Sequence, residues 1–237
     1  MRLEVEGLET AYGRSQVLFG VSLAVGAGEV ATLLGRNGMG KTTTVRSIMG
    51  MVKSRAGTIR FGDKALHGLP SYRVAQAGLG LVPEGRQVFP NLTVRENLVA
   101  TAANRSGSTE PWTLARVFAL FPHLDARRGH LGSQLSGGEQ RQLEIAMALA
   151  TGPRLLLLDE PMAGMGPDES QRMIDLLRTL KVRPTILLVE HDMDAVFALA
   201  DRISVMVYGR IVATGTPEEI RANAEVRQAY LGEEVDV

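Results

Sequence analysis

Apolar positions along the chain follow two alternating rhythms. Short, almost uninterrupted apolar runs at 30–34, 79–82, 155–159, 185–189 and 203–207 predict β-strands. Within them, 155–158 and 186–189 are continuously apolar, which suits central parallel strands covered on both faces. Segments 3–8, 21–25 and 58–61 mix apolar with polar positions and predict antiparallel strands. Longer stretches with helical spacing lie between them. A helix is predicted over 41–49, and the region from about 86 to 150 reads as mainly helical. Thr93-Val94-Arg95-Glu96 has the form of a capping box, in which hydroxyl and carboxylate each accept a backbone N–H. Thr216-Pro217-Glu218-Glu219 marks another helix start, with proline at the first helical position, and a further helix is expected at Asp168. Strands alternating with helices predict an α/β fold. The expected organisation is one unit over 1–237, a core interrupted by a helical lobe at about 86–150.

Composition narrows the function classes. The 237 residues are 45% hydrophobic and 22% charged, an ordinary globular balance. Lys+Arg and Asp+Glu both number 26, so no basic surplus argues for nucleic acid, and none is expected as a partner. There is no cysteine, hence no disulfide framework and no thiolate metal site, in keeping with a reducing compartment. No apolar run approaches the roughly 18 residues of a spanning helix, and the opening residues 1–6 alternate like a strand rather than a signal peptide. Any membrane role must come through partner proteins.

The chemistry begins at Gly35-Arg36-Asn37-Gly38-Met39-Gly40-Lys41-Thr42, between a predicted strand and a predicted helix. That context is what a phosphate-binding P-loop requires. Glycines let successive N–H groups turn inward around phosphate oxygens, and the helix N-terminus adds partial positive charge. Lys41 would reach the β- and γ-phosphates, Thr42 would offer a hydroxyl to Mg²⁺, and Thr43 follows in the same site. Asp159 ends a four-leucine strand at the edge where α/β sheets bind ligands, placed to hold Mg²⁺ directly or through water. Glu160 follows, placed to orient or activate an attacking water. The bland alternative, a solvated Asp-Glu at a strand end, is common without a P-loop. Leu135-Ser136-Gly137-Gly138-Glu139-Gln140 contains a second Ser-x-x-Glu capping box. Glycines at a helix start are costly, and with the Ser136 hydroxyl they make a second surface for an anion.

Taken together, the P-loop, the Ser136–Glu139 segment and Asp159-Glu160 resemble the ATP-binding cassette (ABC) ATPases, over nearly the whole chain. The resemblance implies a P-loop NTPase core with an antiparallel β subdomain and a helical subdomain. It implies ATP and Mg²⁺ as ligands and a head-to-tail dimer, in which Ser136, Gly137, Gly138 and Glu139 close in trans on ATP held by the other subunit. It also assigns Tyr12 to adenine stacking, against the alternative of an ordinary turn tyrosine. His191 takes the switch position that contacts the γ-phosphate, while His67, His123 and His130 match nothing and are expected at the surface. The segment 162–168 holds the place of the D-loop but departs from its usual Ser-x-Leu-Asp form.

Val82-Pro83-Glu84-Gly85-Arg86, Asn91-Leu92-Thr93-Val94-Arg95-Glu96-Asn97-Leu98 and Ala229-Tyr230-Leu231-Gly232 are similar to ATPases of branched-chain amino-acid importers, the LivF type. Glu84 stands where most of the family has glutamine linking Mg²⁺ and water to the membrane subunit. Residues 189–194 and 200–202 point instead toward the partner ATPase of the same systems. The implied partners are membrane permease subunits, a second ABC ATPase subunit or a second copy, and indirectly a periplasmic binding protein, at the cytoplasmic membrane face. Urea and short-amide importers use similar subunits, and a soluble ABC ATPase with a non-transport role is the remaining alternative.

Overall fold

The computed structural model describes residues 1–104, 111–180 and 184–228; the Ala229–Gly232 motif lies outside them. Its centre is a six-stranded sheet built from β3 (Val30–Leu34), β6 (Leu79–Val82), β7 (Leu155–Asp159), β8 (Thr185–Glu190), β9 (Arg202–Val207) and β10 (Arg210–Gly215). The spatial order is β10-β9-β3-β8-β7-β6. All neighbours pair in parallel except β9 and β10, which form an antiparallel edge hairpin. A four-stranded antiparallel sheet combines β1 (Leu3–Tyr12), β2 (Ser15–Val25), β4 (Ser54–Phe61) and β5 (Lys64–Ala65) in the order β2-β1-β4-β5.

Strand β7 explains why the central runs are apolar throughout. Leu155 and Leu157 point into the core between the two sheets, with Leu33, Val45, Ile48 and Phe61. Leu156 and Leu158 point to the other side, onto a core shared with Leu98, Phe121, Leu143 and Leu177. A period of two with both faces covered leaves no polar position until Asp159 at the strand end.

The P-loop leads into α1 (Lys41–Ile48), and α2 (Ser71–Gln76) precedes β6. Between β6 and β7 come α3 (Val94–Thr101), α4 (Leu114–Leu120), α5 (Pro122–Ala126) and α6 (Gly137–Ala150); the first of them starts where the capping box at Thr93 places it, and Arg86–Thr93 before it is not helical. Asn97 shapes that preceding segment. Buried at 0% exposure, its side chain bonds Phe89 N and the carbonyls of Phe89, Leu92 and Thr93, holding the preceding segment as a folded loop. After β7 come α7 (Pro167–Leu180), α8 (Met193–Leu199), α9 (Pro217–Ala222) and α10 (Ala224–Val226). Three predicted caps form complete capping boxes: Thr93 with Glu96, Ser136 with Glu139, and Thr216 with Glu219. Strands β5 and β10 were not predicted, and β1 and β2 are longer than expected because bulges carry them past irregular positions.

One expectation is corrected. His123 is not a simple surface residue: its Nε2 is buried without a hydrogen-bond partner among the described residues, and its ring meets Phe121 edge-on at 6.5 Å. The short helix α5 turns it inward, and burial lowers its pKa. Among the described residues no helix is long and apolar enough to cross a membrane.

Candidate active site

Strand order brings the separate motifs together. β3, β8 and β7 are neighbours, with Leu34 in register with Glu190 and Val189 with Asp159. The P-loop, the Glu190-His191 corner and the Asp159-Glu160 corner therefore leave the same sheet edge side by side, where parallel α/β sheets bind ligands. Gly38 and Gly40 have φ of 81° and 104°, the left-handed region that glycine tolerates. A Cβ on Gly40 would also come within 2.9 Å of the Leu18 side chain. No side chain caps the α1 N-terminus at Gly40, so its first N–H groups suit an anion.

A cavity of about 350 Å³ opens above this turn, lined by Asn37, Gly38, Gly40, Lys41, Thr42, Thr43, Glu84 and Glu160, with Val17 at its side. Lys41 is 4% exposed. Its ammonium donates to Gly35 O at 2.6 Å and Arg36 O at 3.2 Å, and pairs with Glu160 Oε1 at 3.1 Å. The Thr42 hydroxyl donates to Asp159 Oδ1 at 3.3 Å. Burial raises the Asp159 pKa to about 6; the Glu160 and Glu84 charges add to that, against the Thr42 hydrogen bond and Lys41.

Glu160 is held in the left-handed region at φ 50°, rare for a residue with a side chain. Its N–H donates to Val189 O at 2.9 Å, and its carbonyl accepts from Ala163 N at 3.2 Å and Arg141 Nη2 at 3.4 Å. The second carboxylate oxygen lies 3.6 Å from His191 Nδ1. His191 faces a neighbouring cavity of about 960 Å³, together with Arg36, Asn37 and Met39. Arg36 and Met39 thus line that cavity rather than the one above the P-loop. Tyr12 lines neither: it is 45% exposed at the end of β1.

Ser136, Gly137, Gly138 and Glu139 lie apart from the P-loop. The Ser136 hydroxyl accepts from Glu139 N at 3.2 Å, and Ser136 N donates to Glu139 Oε2 at 2.8 Å. Gly137 and Gly138 border a third cavity, about 460 Å³, with Glu84, Arg86, Arg141, Gly164 and Glu169. A Cβ on Gly137 would collide with the Arg86 guanidinium and one on Gly138 would meet the Glu169 carboxylate at 2.7 Å, so the glycines admit these charges. Glu84 lines both this cavity and the one above the P-loop.

Two groups of buried residues escaped the sequence reading. Arg141 donates to Pro83 O at 2.8 Å and Glu144 Oε2 at 2.9 Å, while Glu144 accepts the Gln87 N–H, tying α6 to the segment around Glu84. Burial raises the Glu144 pKa. Their signal was an Arg-x-x-Glu pair inside a largely buried helix. Glu190, 1% exposed, accepts Met162 N at 3.0 Å and His191 N at 3.2 Å, and burial raises its pKa as well. Its signal was a carboxylate ending an otherwise apolar strand.

Chemically, the glycine turn, the open helix N-terminus and Lys41 suit a polyphosphate. Among the described residues no group of three or more His, Cys, Asp or Glu could hold a metal alone. Thr42, Asp159 and Glu84 still fit Mg²⁺, which takes few protein oxygens and completes its shell with phosphate and water.

The ABC transporter family pattern matches residues 18–163, from within β2 through the P-loop and past Glu160. The chain belongs to the ABC transporter ATP-binding family. A second pattern, the branched-chain amino acid ATP-binding cassette transporter, matches residues 210–236 of the cassette. Over 97% of its length and 99% of the relative, the cassette is 38% identical to the high-affinity branched-chain amino acid transport ATP-binding protein BraG of Pseudomonas aeruginosa. It is 36% identical to LivG, likewise a branched-chain amino acid transport ATP-binding protein, of Salmonella typhimurium over 98% of both chains. It is also 36% identical to the lipopolysaccharide export system ATP-binding protein LptB of Escherichia coli over 98% of both. A solved ATP-binding cassette of an ABC transporter in its ADP conformation superposes with a TM-score of 0.84, at 27% identity over 98% of this chain and all of that one. The cassette is thus a nucleotide-binding ATPase subunit of a transporter.

Proposed function

We propose that this cassette drives import of branched-chain amino acids, docked through permease subunits at the cytoplasmic face of the membrane. The observation that carries the substrate class is the family match over 210–236, which lies outside the general nucleotide machinery. The relatives BraG and LivG support it. ATP would sit with its phosphates over Gly35–Thr42 and its adenine near the exposed Tyr12. Mg²⁺, held by Thr42 and Asp159 with Glu84 at its edge, would draw charge from the β- and γ-phosphates. Lys41 would balance the same charge from the loop side. Glu160 would accept the proton of the attacking water, with His191 beside it to orient the γ-phosphate. Ser136, Gly137, Gly138 and Glu139 would contribute the N-terminus of α6 to nucleotide on a second subunit, a partner cassette or a second copy. The segment 86–150 would form the lobe that meets the permeases, with Glu84, exposed to two cavities, linking it to the phosphates.

Reconstitution in liposomes with permease subunits and a second cassette tests this. ATP-dependent uptake of labelled leucine, isoleucine and valine, abolished by Lys41→Ala, is the expected result. The LptB relatives favour a second reading, an export ATPase. Outward lipid transfer without amino-acid uptake would replace the first reading with it, and uptake of urea or short amides would keep import but change the substrate.

A further inference from the structure

Glu190 is a fully buried carboxylate on which the chemistry above makes no demand. It ends β8, a buried strand that is apolar from Ile186 to Val189, and its two oxygens are engaged separately: Oε1 accepts the N–H of Met162 at 3.0 Å, and Oε2 accepts the N–H of its neighbour His191 at 3.2 Å. Oε2 also lies 3.8 Å from His191 Nδ1, whose other close carboxylate is Glu160 at 3.6 Å. Met162 is two residues beyond Glu160 and opens the loop that leads to α7. A single side chain therefore bridges the loop after one corner of the sheet to the loop after the next.

Burying a carboxylate costs free energy unless its lone pairs are used, and an apolar residue would complete β8 at less cost. The two N–H groups ask for two acceptors on one group, which a carboxylate supplies and an amide does not: Gln offers one oxygen and turns its NH₂ toward a donor. The backbone at Glu160, φ 50°, lies in a sparsely populated region for a residue with a side chain and gains from such outside support.

We propose that Glu190 is a positioning residue for ATP hydrolysis, clamping the Glu160 loop and the His191 loop into one unit so that base and histidine keep a fixed separation. The inference rests on the roles given to Glu160 and His191 above. It acts through them and touches no nucleotide.

The test compares steady-state ATPase kinetics of the purified full chain as wild type, Glu190→Gln, His191→Ala and the double variant. Thermal unfolding is followed for each, and Glu190→Asp serves as a second acidic variant. Glu190→Gln is expected to lower kcat about tenfold or more with KM for ATP within about twofold, the range seen when a group orienting a functional ligand is lost. Glu190→Asp keeps two acceptors and should recover part of that loss. In the His191→Ala background the Gln substitution should cost less, because the part that acts through the His191 side chain is already gone. Histidine-selective ¹⁵N spectra give a readout that a stability role would not move. Of the four histidines, the one assigned as His191 by its absence in His191→Ala should shift in Glu190→Gln. Wild-type kcat in Glu190→Gln overturns the proposal, as does a loss fully additive with His191→Ala. Wild-type kcat in His191→Ala removes instead the reading of His191, and this proposal with it.

Discussion

Lys41, Asp159 and Glu160 gather one buried cation and two buried carboxylates at a single sheet edge. Such a cluster is costly to the fold and useful to a ligand that brings both phosphate charge and a metal. Lys41→Ala removes the cation that faces Glu160 and the P-loop carbonyls. It should cut ATPase activity by about a hundredfold or more, read by phosphate release. Asp159 makes the cost visible. Its pKa rises from 3.8 to about 6 on folding, so the folded chain favours the protonated form. The linked stability is therefore fully present below pH 3.8 and lost as pH rises through 6. Asp159→Asn escapes that loss. In EDTA without nucleotide it should unfold at higher temperature than wild type at pH 7.5, by about 3 kcal/mol in stability, with the advantage fading toward pH 4. A constant advantage at every pH would locate the effect elsewhere. The same variant should lose Mg²⁺-dependent turnover.

Elements with the same cap can serve different ends. Ser136 on α6 and Thr216 on α9 each accept the N–H three residues on, at 3.2 and 3.3 Å, inside complete capping boxes. Alanine at either should cost about 1 kcal/mol by denaturant unfolding. Only Ser136→Ala should also lower ATPase activity, because only α6 begins with glycines that leave its N-terminus open to an approaching anion. Equal activity in the two variants would reduce the Ser136 segment to a structural cap. In the P-loop the backbone itself is the element: Gly40→Ala forces a Cβ onto a φ of 104° and against Leu18. It should destabilise the chain by more than 1 kcal/mol, read as a fall in Tm, and weaken nucleotide binding.

At the scale of the molecule the phosphate cavity and the Ser136 segment stand apart, and among the described residues only Glu84 lines both cavities. The proposal brings the two surfaces onto one nucleotide across a second subunit. Glu160→Gln with ATP and Mg²⁺ should elute at twice the 25.6 kDa chain mass in size exclusion, if the chain pairs with itself. With Lys41→Ala added it should elute as one chain. Elution as one chain under both conditions would point to a distinct partner cassette.

Much of this was legible in the order of residues because it is local. A P-loop needs glycines at fixed offsets before a helix, a capping box needs four consecutive positions, and a strand covered on both faces shows as unbroken leucine in 155–158. Those patterns determined the α/β class, the phosphate loop, three helix starts and the carboxylates at 159 and 160. Tertiary structure alone decided the rest, because it depends on which strands pair. The order β3-β8-β7 sets Glu190 and His191 beside Glu160, thirty residues away in sequence, and buries Arg141 and Glu144 against Pro83 and Gln87. It also turned His123 inward and left Tyr12 outside the cavities, since side-chain burial is set by what packs opposite and no periodicity in one strand or helix records its neighbour.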